Sequence, residues 1–467
     1  MATSAPIARS RRSTELSLVV MAGIITAGAY TLASLGEFAA IPTRLVPFLG
    51  LLLGLLILAH LAVRLFARGA DGTLLPLAAI LHGIGYVMIT RLDDELAGLQ
   101  TVWSVVAIAV FAATLLIVQR APDLARYRWI LLFLGIGLLI MPMVPGLGFS
   151  AGGARIWVSL GPINFQPGEF AKLALAVFFA SYLAERRELI AASTWRIGPL
   201  RLPEPRHLLP IVVAWGIAVM IMVGQRDLGS SLLFFALLVV MMWVATERAV
   251  YLLIGLVLFA GAAFVSWRLF SHVQTRVDIW LDPWADPLDR GYQIVQALYG
   301  LTDGGLAGTG LGLGSPNQVP EAQNDFIFTA IGEELGLFGA SAVIFTYLLL
   351  IGGGLRIALR TDNTFEKLLA TGLTTIVGVQ AFIIIGGVIK LVPLTGITLP
   401  FVSYGGSSLL SNYILLALLI RLSDSTARRL HELPDDPTPR ERWQAWRLRR
   451  RGALAPDDTR ALARGER

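Results

Sequence analysis

Twelve long apolar segments limit the fold of this chain more than any other feature of its sequence. A helix needs about 20 predominantly apolar residues to cross a bilayer. Apolar residues make up 55% of the 467 positions and charged residues 15%, whereas soluble domains carry roughly 25% charged residues. We therefore predict an all-α polytopic membrane protein with about twelve transmembrane helices. The segments lie at approximately 16–36, 44–66, 74–91, 100–119, 127–145, 167–185, 207–224, 228–244, 249–270, 326–353, 366–389 and 405–422.

The arginines are concentrated in alternate loops, and this pattern predicts the orientation of the chain. Cytoplasmic loops of membrane proteins carry an excess of Lys and Arg. Both termini are therefore predicted to be cytoplasmic, and the segments 146–166, 271–325 and 390–404 to face outward. This topology also predicts that membrane lipids surround the helices and are partners of the chain.

The same pattern divides the chain into four parts. We expect a cytoplasmic tail at 1–15, an additional two-helix segment at 16–70, a core at 71–423 and a basic cytoplasmic tail at 424–467. One long extracellular loop, 271–325, separates the ninth predicted helix from the tenth.

Composition excludes several classes of function. The chain has no cysteine, so no disulfide, thiolate nucleophile or Cys-ligated metal is possible. The net charge of +6 gathers at the termini and in short loops, which argues against nucleic acid as a partner. The glycine-rich segment 304–314 lacks the Lys-Ser/Thr of a nucleotide-binding loop. No organic cofactor is predicted.

Asp325 is the first candidate for chemistry, because it lies between the long polar loop and a new apolar helix. A carboxylate at a helix start can cap the free backbone N–H groups. Capping and catalysis are compatible, since a cap fixes the position of the side chain. The preceding loop of about fifty residues favours a functional role, because loops of that length in compact proteins are usually functional. Glu333 and Glu334, on the same predicted helix, cannot share one face, so at least one should point to a polar partner or cavity.

Acidic residues of the long loop could also bind a hard divalent cation through oxygen ligands. Their spacing matches no known metal-binding loop. A divalent cation, Mg²⁺ or Mn²⁺, is therefore an expectation in which Asp325 could take part, without an identified ligand set. The acids concerned are Asp278, Asp282, Asp286 and Asp289.

Glu169 and Lys172 form a second candidate site at the start of the sixth segment. They are three residues apart and so share one helical face. Ionisable groups within a membrane span cost about 2.5–3.5 kcal/mol each on insertion scales, so they tend to pair and face a cavity. Two interpretations remain open: a structural ion pair, or a polar cavity wall whose cation serves an anionic substrate.

Two further charged residues lie in predicted outward-facing turns. Arg155 offers a guanidinium that could bind phosphate through two parallel hydrogen bonds. Asp227 lies in a very short turn between two spans, where it could pair with Arg226, cap the next helix or line a cavity.

A Pro- and Gly-rich stretch at 393–408 includes Ser403 and Ser407. Irregular backbone at membrane depth is tolerated only where it is buried in protein or lines a watery cavity. We therefore expect Ser403 and Ser407 to line the substrate cavity.

Taken together, four stretches resemble motifs of the SEDS (shape, elongation, division, sporulation) family, the FtsW/RodA-type peptidoglycan polymerases. They are 154–172, 227–231, 320–339 and 393–408, they occur in the family's order, and the resemblance covers roughly 74 to 423. The family implies a ten-helix core, so the first two segments would be an N-terminal addition. This addition and the basic tail make the chain more similar to the elongation-type RodA branch of high-GC Gram-positive bacteria than to the division-type FtsW branch.

The resemblance implies polymerisation of lipid II, an undecaprenyl-pyrophosphate-linked disaccharide-pentapeptide, in the bacterial plasma membrane. It also implies a class B penicillin-binding protein as transpeptidase partner. The family's proposed catalytic aspartate matches Asp325, and its other site residues match Glu169, Lys172, Arg155 and Asp227.

The sequence departs from the family pattern at a few positions. Arg226 stands where Pro is common, and Gly168 where Ser is common. Ile384 occupies a position that is often Asn, and Lys390 is an unusual cation shortly after it. The last pair puts the fine contacts of that helix in doubt, but not the main reaction.

Two other functions compete with the polymerase hypothesis. A lipid II flippase would also need many helices and charged cavities, although a transporter more often shows an internal repeat with paired broken helices. A scaffold for the cell-wall machinery would leave Asp325 as a helix cap alone.

Overall fold

A computed structural model describes residues 5–42, 45–161, 163–192, 195–197, 200–202 and 205–430. Most of the predicted basic tail, 431–467, lies outside the described residues. The helices are α1 (Ala5–Phe38), α2 (Leu45–Phe66), α3 (Leu74–Leu92), α4 (Asp94–Ile117), α5 (Arg128–Ile140), α6 (Gly168–Ala192), α7 (Pro205–Gly224), α8 (Leu228–Thr246), α9 (Val250–Leu269), α10 (Ser271–Leu281), α11 (Tyr292–Gly304), α12 (Ile327–Arg360), α13 (Thr364–Val388) and α14 (Gly406–Leu430).

Eleven of the described helical segments are long and apolar enough to cross a membrane. The predicted sixth span, now α6, differs because it carries Glu169 and Lys172 at one end and the charged stretch 185–188 at the other. It is nevertheless 25 residues long and packs against α5, α8 and α13. The polytopic all-α architecture is therefore confirmed, with α6 as a charged inner helix of the bundle.

Helices α13 and α14 form the centre of this bundle, while α9 lies at its edge. Most of the apolar stretch of α13 and α14 is buried inside the protein, against 6% for α9. An apolar helix with so little protein contact is suited to lipid on nearly all sides.

Short strands interrupt the helical pattern in two places. They are β1 (Gly148–Ala151), β2 (Ala154–Leu160) and β3 (Ile163–Phe165), which form one antiparallel sheet, and β4 (Trp195–Ile197) and β5 (Leu200–Leu202), which form another. Gly152 and Gly153 make the β1–β2 turn at φ +58° and +80°, a region that glycine enters without steric cost. Four of these five strands have only three or four residues, which is too short for hydrophobic periodicity to reveal them.

Several predicted outward-facing segments meet at one end of the bundle, called here the site end. The backbone N–H of Arg155 donates to Gln225 O at 3.0 Å, and that of Tyr404 donates to Gln323 O at 2.9 Å. The guanidinium of Arg276 donates to Leu394 O at 2.7 Å. These contacts join 146–166 to the turn at 225–227, and 271–325 to 390–404. The two pairs are adjacent, since a Cβ on Gly229 would lie 2.5 Å from Ile397.

The long segment 271–325 is folded rather than extended. It contains α10, α11 and the glycine loop, defined as residues 304–314. This loop packs against a break in α12 at Gly336, whose φ of +66° and ψ of −168° are not helical. Leu337 N donates to Gly305 O at 3.0 Å and Thr309 N donates to Glu333 O at 2.9 Å. The loop thus provides hydrogen-bond partners for backbone groups next to the break.

Replacing Gly336 by Ala should lower the thermal unfolding temperature of the detergent-solubilised protein. The φ/ψ region of Gly336 is essentially restricted to glycine, at a cost of about 1–3 kcal/mol for other residues. A Cβ there would also lie 2.2 Å from the backbone N of Gly308. Gly352→Ala is the matched control on the same helix, since its Cβ would meet nothing within 4 Å. Equal unfolding temperatures for the two variants would contradict the prediction.

Candidate active site

Asp325 lies half-buried at the site end, two residues before α12 begins. The residue at the N-cap position is Phe326, and α12 has no side-chain cap hydrogen bond. The prediction that Asp325 caps the helix is therefore wrong. The chain turns before the helix, where Asn324 N donates to Glu321 O at 3.0 Å, and the carboxylate is directed towards the 393–408 stretch instead. Its Oδ2 lies 3.5 Å from the position that a Cβ on Gly396 would take.

Arg276 of α10 also lies close to Gly396. Its guanidinium nitrogens lie 3.6 and 4.0 Å from the same Cβ position on Gly396. Gly396 has φ +77°, and a side chain there would enter the space between the acid and the cation. The absence of a side chain at Gly396 thus leaves room between the two charged groups.

The electrostatic surroundings of Asp325 suit a group that exchanges protons near neutral pH. Burial raises the pKa of Asp325 to about 7, while the positive charge of Arg276 acts in the opposite direction. Burial also lowers the pKa of Arg276, against the opposing influence of Asp325 and Asp227. A base with a pKa near the working pH combines a large deprotonated fraction with useful proton affinity.

Asp227 caps α8, one of the roles that its sequence position left open. Its Oδ1 accepts a hydrogen bond from Ser230 N at 2.9 Å. Burial raises the pKa of Asp227, Ser230 lowers it, and Glu169 and Arg276 act on it in opposite senses. A small pocket with room for about one water molecule also has Asp227, Gln166 and Gln225 in its wall. Asp227 is therefore a cap that also lines a small pocket with both polar and apolar walls.

Glu169 and Lys172 form the buried ion pair that their spacing predicts. Lys172 Nζ donates to Glu169 Oε2 at 2.6 Å and to Gln380 Oε1 at 3.0 Å. Ser411 Oγ donates to the same glutamate oxygen at 2.8 Å. The pair joins α6 to α13 and α14, so the structural interpretation holds in this conformation. Lys172 is 2% exposed, and its ammonium is engaged by protein.

Ser403 and Ser407 position backbone segments of the site. Ser403 Oγ donates to Asn324 O at 2.6 Å and accepts from Leu399 N at 2.9 Å. Ser407 Oγ accepts from Gln166 N at 2.9 Å. Ser403 thereby holds Asn324, the residue that precedes Asp325. Ser407 holds Gln166, two residues before α6 begins.

Arg155 stabilises the small sheet at the site end. Its Nε donates to Pro142 O at 3.0 Å and its Nη2 to Gly148 O at 3.5 Å. Two of the donors that were expected to bind phosphate are thus used by backbone carbonyls. The contacts of Arg155 do not bring it to Asp325.

The residues present do not form a metal site by themselves. Among the described residues there is no group of three or more His, Cys, Asp or Glu side chains arranged to hold a metal ion. Mg²⁺ usually keeps several waters and takes one or two carboxylates together with substrate phosphates. Asp325 could supply one such oxygen, but the predicted acids of 278–289 do not complete a set.

Arg276 is the site residue that sequence reasoning missed. No expectation was attached to Arg276, because a single arginine carries no motif signal. Its proximity to Asp325 depends on how α10 folds back over 390–396, where Trp280 Nε1 also donates to Lys390 O at 3.1 Å. That packing joins residues more than one hundred positions apart.

The sequence and the structure are both similar to known proteins. Residues 72–428 match the sequence pattern of the FtsW/RodA/SpoVE family, described as "Cell cycle protein". The chain is 42% identical over 441 residues to the peptidoglycan glycosyltransferase RodA of Mycobacterium tuberculosis, covering 92% of this chain and 94% of that protein. It is 39% identical over 447 residues to the protein of the same name from Mycobacterium leprae, covering 94% and 96%.

A solved structure supports the same fold. It comes from a study of the "structural coordination of polymerization and crosslinking by a peptidoglycan synthase complex". The two chains superimpose with a TM-score of 0.63 at 28% identity, over 76% of this chain and 98% of the other.

Replacing Arg276 by Gln should raise the pKa of Asp325 above about 7, because it removes a cation that lowers this pKa. Infrared spectra recorded during a pH titration would follow the carboxyl band, which Asp325→Asn would identify by its loss. Arg290→Gln, an exposed arginine of the same segment, is the control and should leave the midpoint unchanged. A midpoint for Arg276→Gln at or below that of the unaltered protein would contradict this arrangement.

Proposed function

This chain belongs to the FtsW/RodA/SpoVE family, and we propose that Asp325 is the general base with which it polymerises lipid II. Its activity is that of a peptidoglycan glycosyltransferase, the name carried by relatives that match it over nearly their whole length. The glycan strands that it makes serve cell elongation, in keeping with the RodA relatives.

The proposed reaction is a single displacement. The 4-hydroxyl of the acceptor sugar attacks the anomeric carbon of the donor and forms the new C–O bond. The bond from that carbon to the pyrophosphate breaks, and the lipid pyrophosphate leaves with the electron pair and with inversion. The hydroxyl proton passes to the carboxylate of Asp325. A positioned base contributes typically about 10²–10⁴-fold to such a step.

This proposal rests on one observation, the surroundings of the Asp325 carboxylate. It is half-buried, its pKa is raised to about 7, and it makes no cap hydrogen bond to α12. A cap alone was the role that the scaffold hypothesis gave to Asp325, so this geometry favours the enzyme. The names of the relatives favour a transferase over a lipid II flippase as well.

Charge on the leaving pyrophosphate needs compensation during the reaction. Lys172 and Arg155 were the expected cations, but the hydrogen bonds of neither bring it to Asp325. Arg276 is closer to Asp325, and we assign it this role in the proposal. A divalent cation, Mg²⁺ or Mn²⁺, that enters with the pyrophosphate would supplement it, with Asp325 as its one protein ligand.

The proposed topology places the site end on the outer face of the plasma membrane, with both termini cytoplasmic. The excess of arginine in the loops of the opposite end supports this orientation. A class B penicillin-binding protein is the proposed transpeptidase partner. The similarity to a chain from a peptidoglycan synthase complex supports an assembly of this kind.

Asp325→Asn should reduce the rate of glycan formation from purified lipid II by about 10²–10⁴-fold, because the amide cannot accept the proton. Chain products would be separated by gel electrophoresis, with the transpeptidase partner present and absent. Asp289→Asn removes an exposed acid of the same loop and should retain the full rate. If Asp325→Asn enters the membrane normally and polymerises as fast as the unaltered protein, Asp325 is not the base.

Removal of divalent cations should slow the same reaction, and Mg²⁺ or Mn²⁺ should restore it. The physical reason is that a bound cation stabilises the charge that develops on the pyrophosphate. The comparison uses a chelator, the chelator saturated with Mg²⁺, and untreated enzyme. Unchanged turnover after chelation would confine charge compensation to the protein's own cations.

A further inference from the structure

Helices α1 and α2 precede the family match, which begins at residue 72, and nothing in the reaction described above requires them. The end of α1 nevertheless reaches the segment that carries Asp325. This contact runs through the glycine loop, which is itself attached to α12.

The glycine loop is fixed to α12 by backbone and carboxylate contacts on both sides of the break. Gly310 N donates to Glu334 O at 3.0 Å. Glu333 Oε1 accepts from Ser315 N at 2.5 Å, and Glu334 Oε2 accepts from Gly312 N at 3.0 Å. The loop and the first turns of α12 therefore behave as one unit. Asp325 lies in the connection between these two parts, ten residues after Ser315 and two residues before α12.

Helix α1 contacts this unit through backbone atoms. A Cβ on Gly36 would lie 2.2 Å from Leu311 O, and a Cβ on Gly312 would lie 2.1 Å from Ala33 O. Real Cβ atoms essentially never come so close to another heavy atom. The approach depends on glycine at both places, and a backbone carbonyl cannot rotate away as a flexible side chain can.

An ion-pair network lies beside the glycine contact. Arg91 of α3 forms ion pairs with Glu37 of α1 and with Glu334 of α12, both at 3.2 Å. Its Nη2 also donates to Gly314 O at 3.1 Å. The Arg91 side chain is 8% exposed and that of Glu334 is fully buried. One guanidinium thus ties the end of α1 to both halves of the loop–α12 unit.

We propose that the end of α1, Gly36 and Glu37, is a positioning element that holds the loop–α12 unit and thereby sets the place of Asp325. The inference rests on Asp325 acting as the base. A displacement of about 1 Å at a reacting group can cost 10²-fold in rate. Release of α1 from the glycine loop should therefore lower kcat more than it raises KM for lipid II.

Gly28 provides a matched control on the same helix. A Cβ there would meet nothing within 4 Å, so Gly28→Ala should gain helix propensity without disturbing a contact. Gly36→Ala makes the same chemical change against the glycine loop. Glu37→Gln is a second variant, which removes the α1 charge from Arg91 without adding volume and which protects the test against misfolding of the first.

The experiment measures kcat and KM for lipid II, together with the mobility of a spin label on the glycine loop. The chain has no cysteine, and Leu313 is 64% exposed, so Leu313→Cys gives one labelling site. Gly36→Ala and Glu37→Gln should each lower kcat at least about tenfold, well within the loss expected for 1 Å. Both should increase label mobility, and Gly28→Ala should change neither.

Unchanged kcat in both variants, or a fall of kcat with unchanged label mobility, would overturn the proposal. Greater mobility with normal kcat would also overturn it, because the loop would then not control the site. Label mobility is read without turnover, so it remains informative if Asp325→Asn proves active. In that case the proposed function fails, while a mobile label still reports whether α1 holds the loop.

Discussion

The break in α12 is the constraint on which the rest of the site depends. Backbone N–H and C=O groups at membrane depth need partners inside the protein, since hydrocarbon offers none. The glycine loop supplies them around Gly336, and its own glycines allow the close approach. Glu333 and Glu334 accept hydrogen bonds from the backbone N–H groups of Ser315 and Gly312. The prediction that at least one of these two acids has a polar partner is therefore confirmed. The segment before α12 is consequently fixed in place.

From that fixed segment, a line of charged groups crosses the site end. Asp325 interacts with Arg276, Arg276 with Asp227, and Asp227 with Glu169. Arg276 thus partly compensates the charges of two acids, Asp325 and Asp227, where burial would otherwise disfavour them, whereas Glu169 and Asp227 repel each other. Lys172 lies at the far end of this line, and its contact with Gln380 links it to the central helix α13. Arg276 is therefore the cation that two acids of the site end share.

Sequence patterns predicted part of this site correctly. The Glu169–Lys172 pair followed from helical spacing, and capping of α8 was one of the roles left open for Asp227. Asp325 was identified as a site residue, but its predicted cap was wrong, because the turn at 321–324 directs the carboxylate away from α12. Arg276 was not identified at all, since its partners at 325 and 394 are distant in sequence.

Hydrophobicity and charge along the chain by themselves determined the membrane class, the approximate spans and the family resemblance. These properties are local, so a sequence displays them directly. Only the tertiary structure decided which polar groups meet: that Arg276 lies beside Asp325, that Arg155 binds carbonyls, and that α1 reaches the glycine loop. These contacts depend on the close approach of backbones and on the packing of segments that are distant in sequence. Neither produces a periodic pattern in the sequence.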